Sequence, residues 1–439
     1  MWNYRALCLP PFRASLEPGY QFLLFVLEGI ADRKKFGSWG QSMAAKGVSE
    51  KVRERPDFRE ERGEDGSTID MEIEDNAPDI SDPFDPKEID IKSRPYLVEQ
   101  CIKRLQHGEI TLTPDFQRNA SIWKAGQKSR LIESLLLRIP VPVFYIATDE
   151  NDNWLVVDGL QRLSTLKEFI LDKTLVLRDM EFLKQYEGEG FDGLPRNMQR
   201  RLNEAELLMH VIQPGTPRFV TRTIFKRINT GGLPLSAQEI RHALYLGKST
   251  DLLKDLVAEE AYIQTTEGRL RDDRMLGREC ALRFMAFHIF TPDSYTKKDM
   301  DGFLCRAMEE INGMRPAKIA RLREVFITAM ERCAVIFGPY AFRKQYEPEG
   351  WRYPINKALF ETWTYSLASL SADEFDIARR RRKRINAYFI SMMNGEYFPP
   401  GVANDMNFEL SISQETSDPW KVRFRFAVVM GLLRHVVED

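Results

Sequence analysis

In the stretch Val156–Leu166, VVDGLQRLSTL, four polar or turn-forming residues fall within five positions. They are Asp158, Gly159, Gln161 and Arg162, and they sit where a β-branched run gives way to a leucine-spaced one. That combination suits phosphate chemistry. A helix N-terminus offers unpaired backbone N–H groups and a partial positive charge, which together seat an anion. Glycine lets a ligand approach the backbone. A guanidinium matches phosphate oxygens with a planar fork of donors, and a carboxylate can share Mg²⁺ with a phosphate. Asp158, Gln161 and Arg162 are therefore candidate catalytic residues. Gly159 and Arg162 are nucleotide-binding candidates, and Asp158 is the Mg²⁺ candidate. The same stretch has a structural account, because Asp158 followed three residues later by Gln161 is nearly a capping box. Capping leaves Arg162 unexplained, since the helix dipole disfavours a cation in the first turn.

Two further clusters carry similar residue types. PDFQRNASIW places Gln117 and Arg118 ahead of an aromatic, Trp123, that reads as a core anchor on a surface loop. If it folds beside the first cluster, this second Gln-Arg pair supplies another phosphate clamp. FKRINTGGLPLSAQEIRHAL ends one helix at Phe225 and Ile228, turns at Gly231-Gly232, and opens the next with a Ser236–Glu239 capping box. The glycines there serve the turn. Arg227 and Asn229 are freer to meet a ligand.

The elements that must position these groups follow from apolar spacing. Leu97, Ile102 and Leu105 predict a helix stopped by Gly108, and Leu131, Ile132, Leu135 and Leu136 predict a second, closed by Pro140. VPVFYIA and WLVVD predict two strands joined by the turn TDENDN. In the helix from Leu160, Leu163, Leu166 and Phe169 form the buried stripe, while Gln161, Arg162 and Thr165 share another face. From about residue 196 onward the pattern reads as mainly helical.

Five segments in order, PDFQRNASIWK, IESLLLRIPVPVFYI, VVDGLQRLSTLKEF, FKRINTGGLPLSAQEIRHA and RECALRFMAF, resemble the N-terminal domain of GmrSD-type modification-dependent restriction endonucleases. The resemblance covers Ile89 to Phe287. It implies an α+β fold, with a small ParB/sulfiredoxin-like lobe at 89–250 and a helical region at 251–439. It also implies binding and hydrolysis of a nucleoside triphosphate at an Asp-Gly-Gln-Gln-Arg element, coupled to an HNH nuclease in phage defence. Here that element is Asp158-Gly159-Leu160-Gln161-Arg162, with Leu160 in place of a glutamine. If the glutamine positions water, binding survives here while hydrolysis is impaired. An HNH site needs paired histidines around a metal. His107, His210, His242, His288 and His435 are isolated, so any cutting would need a separate nuclease subunit or an unrecognised site. The rival classes are a non-catalytic module that binds DNA or regulates a partner, and a direct DNA nuclease.

Composition is that of a globular chain of 439 residues with five dispersed cysteines, which fits a reducing cytoplasm rather than a disulfide framework. The early apolar run YQFLLFVLEGIA is too short to span a bilayer and contains Glu28, so no membrane partner is expected. The net charge of −2 is unevenly spread: Asp57–Asp90 holds 14 acids and 3 bases, or −11, which leaves +9 elsewhere. Residues 1–88 read as an extension and a disordered acidic arm, with Met43 as an alternative start that would leave 1–42 untranslated. Six consecutive cations at 379–384 make Arg380, Arg381 and Lys383 candidate DNA contacts. A solvated helix face, or a dock for the acidic arm, explains that run equally well.

Overall fold

The structure is a computed structural model that describes residues 89–112, 123–228, 236–270, 272–402 and 406–439. Its fold is α+β. The first lobe runs β1 (Ile91–Leu97), α1 (Val98–Gln106), β2 (Ile110–Thr111), α2 (Ala125–Leu136), β3 (Phe144–Thr148), β4 (Trp154–Asp158), α3 (Leu160–Leu166), α4 (Arg196–Asn203) and β5 (Glu206–Ile212). The five strands form one mixed sheet in the order β1-β5-β3-β4-β2. β1 with β5 and β3 with β4 are antiparallel, whereas β3 with β5 and β2 with β4 are parallel.

Alternation along the strands divides their side chains between two cores. Phe144, Ile146, Trp154, Val156, Leu207, Met209 and Val211 face α1, α2, α3 and α4. Tyr145, Ala147, Leu155, Val157 and Ile212 face the other way, onto Phe225 and Ile240. Those two residues belong to α5 (Arg218–Ile228) and α6 (Ala237–Leu244). The sheet is thus covered on both faces, and its central strands are apolar on both sides.

The remainder is helical: α7 (Lys248–Ala258), α8 (Glu260–Thr266), α9 (Leu276–Phe290), α10 (Met300–Gly313), α11 (Pro316–Phe337), α12 (Lys357–Ala368), α13 (Ala372–Arg380), α14 (Arg382–Met393), α15 (Phe408–Ser413) and α16 (Pro419–Glu438). Its core is separate from the sheet's, with α9 at the centre and buried from Gly277 through Phe287. A helix enclosed on all sides has no solvated face for its polar residues. Arg278, Glu279 and Arg283 on α9 must therefore find partners inside the protein.

The predicted strands at 144–148 and 154–158 and the helix with Leu131, Ile132, Leu135 and Leu136 inward are present. One expectation fails: Leu97 is the last residue of a strand, and the helix starts at Val98 with Val98, Cys101, Ile102 and Leu105 inward. From residue 196 onward the described chain is mainly helical, as expected, apart from β5, which pairs with both β1 and β3.

Candidate functional site

β4 ends at Asp158, and the chain turns through Gly159, whose φ is +99°, before α3 begins. That angle disfavours any residue with a side chain. A Cβ at Gly159 would also collide with the Phe144 ring, so two independent constraints select glycine.

Asp158 does not cap α3. Gly159 is the N-cap and no side chain caps the helix. The Asp158 carboxylate instead accepts a bond from Arg162 Nη2 at 2.8 Å. Arg162 Nη1 also donates to the Pro142 carbonyl, and Nη1 and Nη2 each reach the Val143 carbonyl at 3.3 Å. The guanidinium carbon lies 4.3 Å from the Phe144 ring centroid. This resolves the first-turn cation: Arg162 is only 8% exposed and fastens the entry of β3 to the exit of β4. Burial pushes its basicity down, and the Asp158 carboxylate works in the opposite direction.

The face expected to carry Gln161, Arg162 and Thr165 together does not lie open. Thr165 is fully buried and donates to the Gln161 carbonyl at 2.8 Å, because α3 is enclosed between the sheet and α2. What remains accessible is the Asp158 carboxylate, 40% exposed, beside a partly exposed Gln161.

Of the second cluster, Gln117 and Arg118 lie outside the described residues, while Trp123 packs against the core as expected. In the third, Asn229 and Gly231-Gly232 also lie outside them. Arg227 is exposed in the last turn of α5. Phe225, two residues earlier, shares a core with Val157 of β4. The end of α5 therefore lies on the sheet face opposite α3, against the strand that delivers Asp158. The Ser236 box forms as predicted: the Glu239 amide donates to Ser236 Oγ at 3.1 Å, and Glu239 Oε2 accepts from the Ser236 amide at 2.5 Å.

Spacing gave no sign of the ionic chain behind α6. Arg241, buried, pairs with Asp301 of α10 and lies 3.5 Å from Glu279 of α9. Glu279 holds Lys357 at 3.0 Å and Arg283 at 3.4 Å. Arg283 reaches Glu361 at 3.1 Å, and Glu361 pairs with Arg425. Arg222 joins the other end, 3.4 Å from Asp301. Burial opposes ionisation of Glu279, but Lys357, Arg241 and Arg283 outweigh it and hold the carboxyl far below its ordinary range.

The cationic run is not one helix. α13 ends at Arg380 and α14 begins at Arg382, with the break at Arg381. The break spares one helix from carrying six cations around its axis. Arg380 pairs with Asp376, and Arg381 Nη1 donates to the Val436 carbonyl at 2.5 Å. Lys383 is exposed.

Residues 98–246 match the family model described as GmrSD restriction endonuclease, N-terminal domain. The matched span contains Asp158 through Arg162, Arg227 and the Ser236 box, and it stops short of RECALRFMAF. No curated protein and no solved structure matches the chain. Among the described residues, no helix is long and apolar enough to cross a membrane.

Proposed function

We propose that this chain, whose residues 98–246 match the GmrSD restriction endonuclease N-terminal domain model, is a cytoplasmic nucleoside-triphosphate-binding protein with weak hydrolytic activity. It would serve restriction-type, antiphage DNA targeting. The observation that carries this is the family match placed over the Asp158–Arg162 junction. A glycine turn there delivers a half-exposed carboxylate between strand and helix, held by a buried guanidinium. Arg162 acts in the site through Asp158. Contacts to phosphate would fall to Gln161 and Arg227 and, from the sequence alone, to Gln117, Arg118 and Asn229, which lie outside the described residues. The ParB/sulfiredoxin-like assignment of the lobe belongs to the same proposal. Phosphoryl transfer depends mainly on positioning and electrostatics, so it needs no nucleophilic side chain.

Mg²⁺ fits this site only in a shared mode. One Asp158 oxygen is already given to Arg162, and Mg²⁺ is commonly bound by one or two carboxylates together with substrate phosphates and water. Asp158 would hold the ion from the protein side, and the ion would supply charge neutralisation to the phosphates.

The test is equilibrium titration of the full chain with labelled ATP, GTP, CTP and UTP in Mg²⁺, followed by phosphate release. At least one triphosphate should bind, and Asn229→Ala should weaken it by about tenfold or more. Turnover should be slow, and Leu160→Gln should raise it. If no triphosphate binds at millimolar protein-saturating levels, the proposal is wrong. Nicking of plasmid DNA by the purified chain would favour the direct nuclease over a separate nuclease subunit.

A non-catalytic DNA-binding or partner-regulating role is favoured by one observation, the exposed cations around the α13–α14 break. Each phosphate neutralised adds about 0.9 to the slope of log affinity against log salt. The triple variant Arg380→Ala, Arg381→Ala, Lys383→Ala should bind duplex DNA with a slope shallower by about 1 to 2, carried by Arg380 and Lys383, since Arg381 is engaged with the Val436 carbonyl. Equal slopes would remove this segment from DNA contact.

A further inference from the structure

At the N-terminal end of α5, away from Asp158, lies a cleft of about 550 Å³ between α5, the loop before α10, and α10 itself. Small-ligand sites occupy roughly 300–1,000 Å³. Arg218, Arg222, Lys297 and Arg306 line it, with the rings of Phe219 and Tyr245.

The two carboxylates in the wall are already engaged. Asp299 accepts from the Gly302 amide at 2.8 Å as the cap of α10, and Glu309 lies 3.8 Å from Arg218. The Arg218–Glu309 approach brings the start of α5 against the face of α10 that carries Arg306, three residues before Glu309. Among the lining residues the cations outnumber the acids, with Asp301 behind Arg222 compensating that guanidinium in addition.

The three arginines have partners before any ligand arrives. Arg222 is largely buried, 3.9 Å from Asp299 and 3.4 Å from Asp301, and its Nη1 donates to Cys305 Sγ at 3.1 Å. Arg218 lies 5.2 Å from the Tyr245 ring centroid, and Arg306 lies 4.7 Å from that of Phe290. Stacked guanidiniums lose little freedom when they bind an oxyanion. Phe219, 42% exposed, presents an apolar ring in the same cleft.

We infer that this cleft binds a small phosphate monoester bearing a planar ring, with the dianion between Arg218 and Arg306 and the ring against Phe219. Charge-assisted bonds from the two guanidiniums supply most of the affinity, and stacking on the aromatic supplies the preference for a ring. The site is independent of the one around Asp158. Arg218 and Arg227 are nine residues apart on α5, about 14 Å along its axis.

Isothermal titration of the full chain with AMP, ribose 5-phosphate and inorganic phosphate tests this. AMP should bind, and more tightly than ribose 5-phosphate by about fivefold or more. Arg306→Glu and Arg218→Ala should each weaken AMP by about tenfold or more while leaving the melting temperature near that of the parent. Phe219→Ala should equalise AMP and ribose 5-phosphate. Arg227→Ala and Asn229→Ala should leave AMP affinity within about twofold. The inference is overturned if none of the three probes binds at up to about 10 mM. It is also overturned if the cleft variants leave AMP affinity unchanged, or if ribose 5-phosphate binds as tightly as AMP.

Discussion

Replacing Glu279 by Gln is expected to cost about 3–5 kcal/mol of folding stability, the range typical when one member of a buried ion pair is removed. Glu279 sits on the enclosed helix α9 and faces three cations, Arg241, Arg283 and Lys357. The neutral amide leaves all three under-compensated, and neither Arg can reach water without opening the helical core. A second route around the loss is closed, because Asp301 is already given to Arg241 and Arg222, and Glu361, wholly buried, to Arg283 and Arg425.

The same carboxyl predicts a pH dependence. Its folded-state pKa is depressed, so its contribution is fully present above its unfolded pKa and is lost as pH falls through the folded value. Denaturant titrations at falling pH should therefore show a shallower acid decline in Glu279→Gln than in the parent. If the variant keeps the parent's stability at neutral pH, the ionic chain is not holding α6, α9, α10 and α12 together. The double variant Glu279→Leu, Lys357→Leu is a useful control, because replacing a buried pair by apolar residues is often close to neutral. Here Arg241 and Arg283 would still object, so a large residual cost is expected.

How much of this could be foreseen depends on what a linear pattern encodes. β3 and β4 were legible because short apolar runs flank a turn in which the Asp149 carboxylate accepts from the Asn151 and Asn153 amides. The Ser236 box was legible because capping is local, its partners lying three residues apart. β5 was harder. Leu207, Met209 and Val211 alternate properly, but Leu208 on the outer face interrupts the contrast with Glu206 and His210. β1 is polar, mostly exposed and contains Pro95. It is tolerated as a strand because it sits at the sheet's edge, and pairing with β5, more than a hundred residues away, is what makes it one.

The site was half visible for the same reason. Asp158, Gly159 and Arg162 announced a special junction. The expectation that Asp158 caps the helix and that Arg162 faces outward failed, because the acceptors that claim Arg162 lie on Pro142 and Val143, far back in the chain. The ionic chain was invisible: among 63 cations and 65 acids, nothing in composition marks which are buried.

Arg162→Ala should destabilise the lobe by about 3–4 kcal/mol in the complete absence of nucleotide. The alanine removes the donors of the Pro142 and Val143 carbonyls and of the Asp158 carboxylate, and each buried acceptor left unpaired costs about 1–3 kcal/mol. It also leaves a space over the Phe144 ring. Arg162→Lys keeps the charge but loses the fork, and a single ammonium cannot serve two carbonyls and a carboxylate in one plane. A loss of about 1–3 kcal/mol is expected there. Denaturant unfolding of the nucleotide-free chain reads both values. A purely ligand-facing arginine behaves differently: its removal leaves the empty protein's stability within about 0.5 kcal/mol and reduces only nucleotide affinity. Should Arg162→Ala follow that second pattern, the guanidinium is not the clamp between β3 and β4, and it must turn outward to meet phosphate directly. Asp158→Asn separates the remaining cases. It keeps an acceptor for Arg162 and so should preserve most of the stability, while removing the charge through which Asp158 would hold Mg²⁺. Unchanged nucleotide binding in Asp158→Asn would take that carboxylate out of the site.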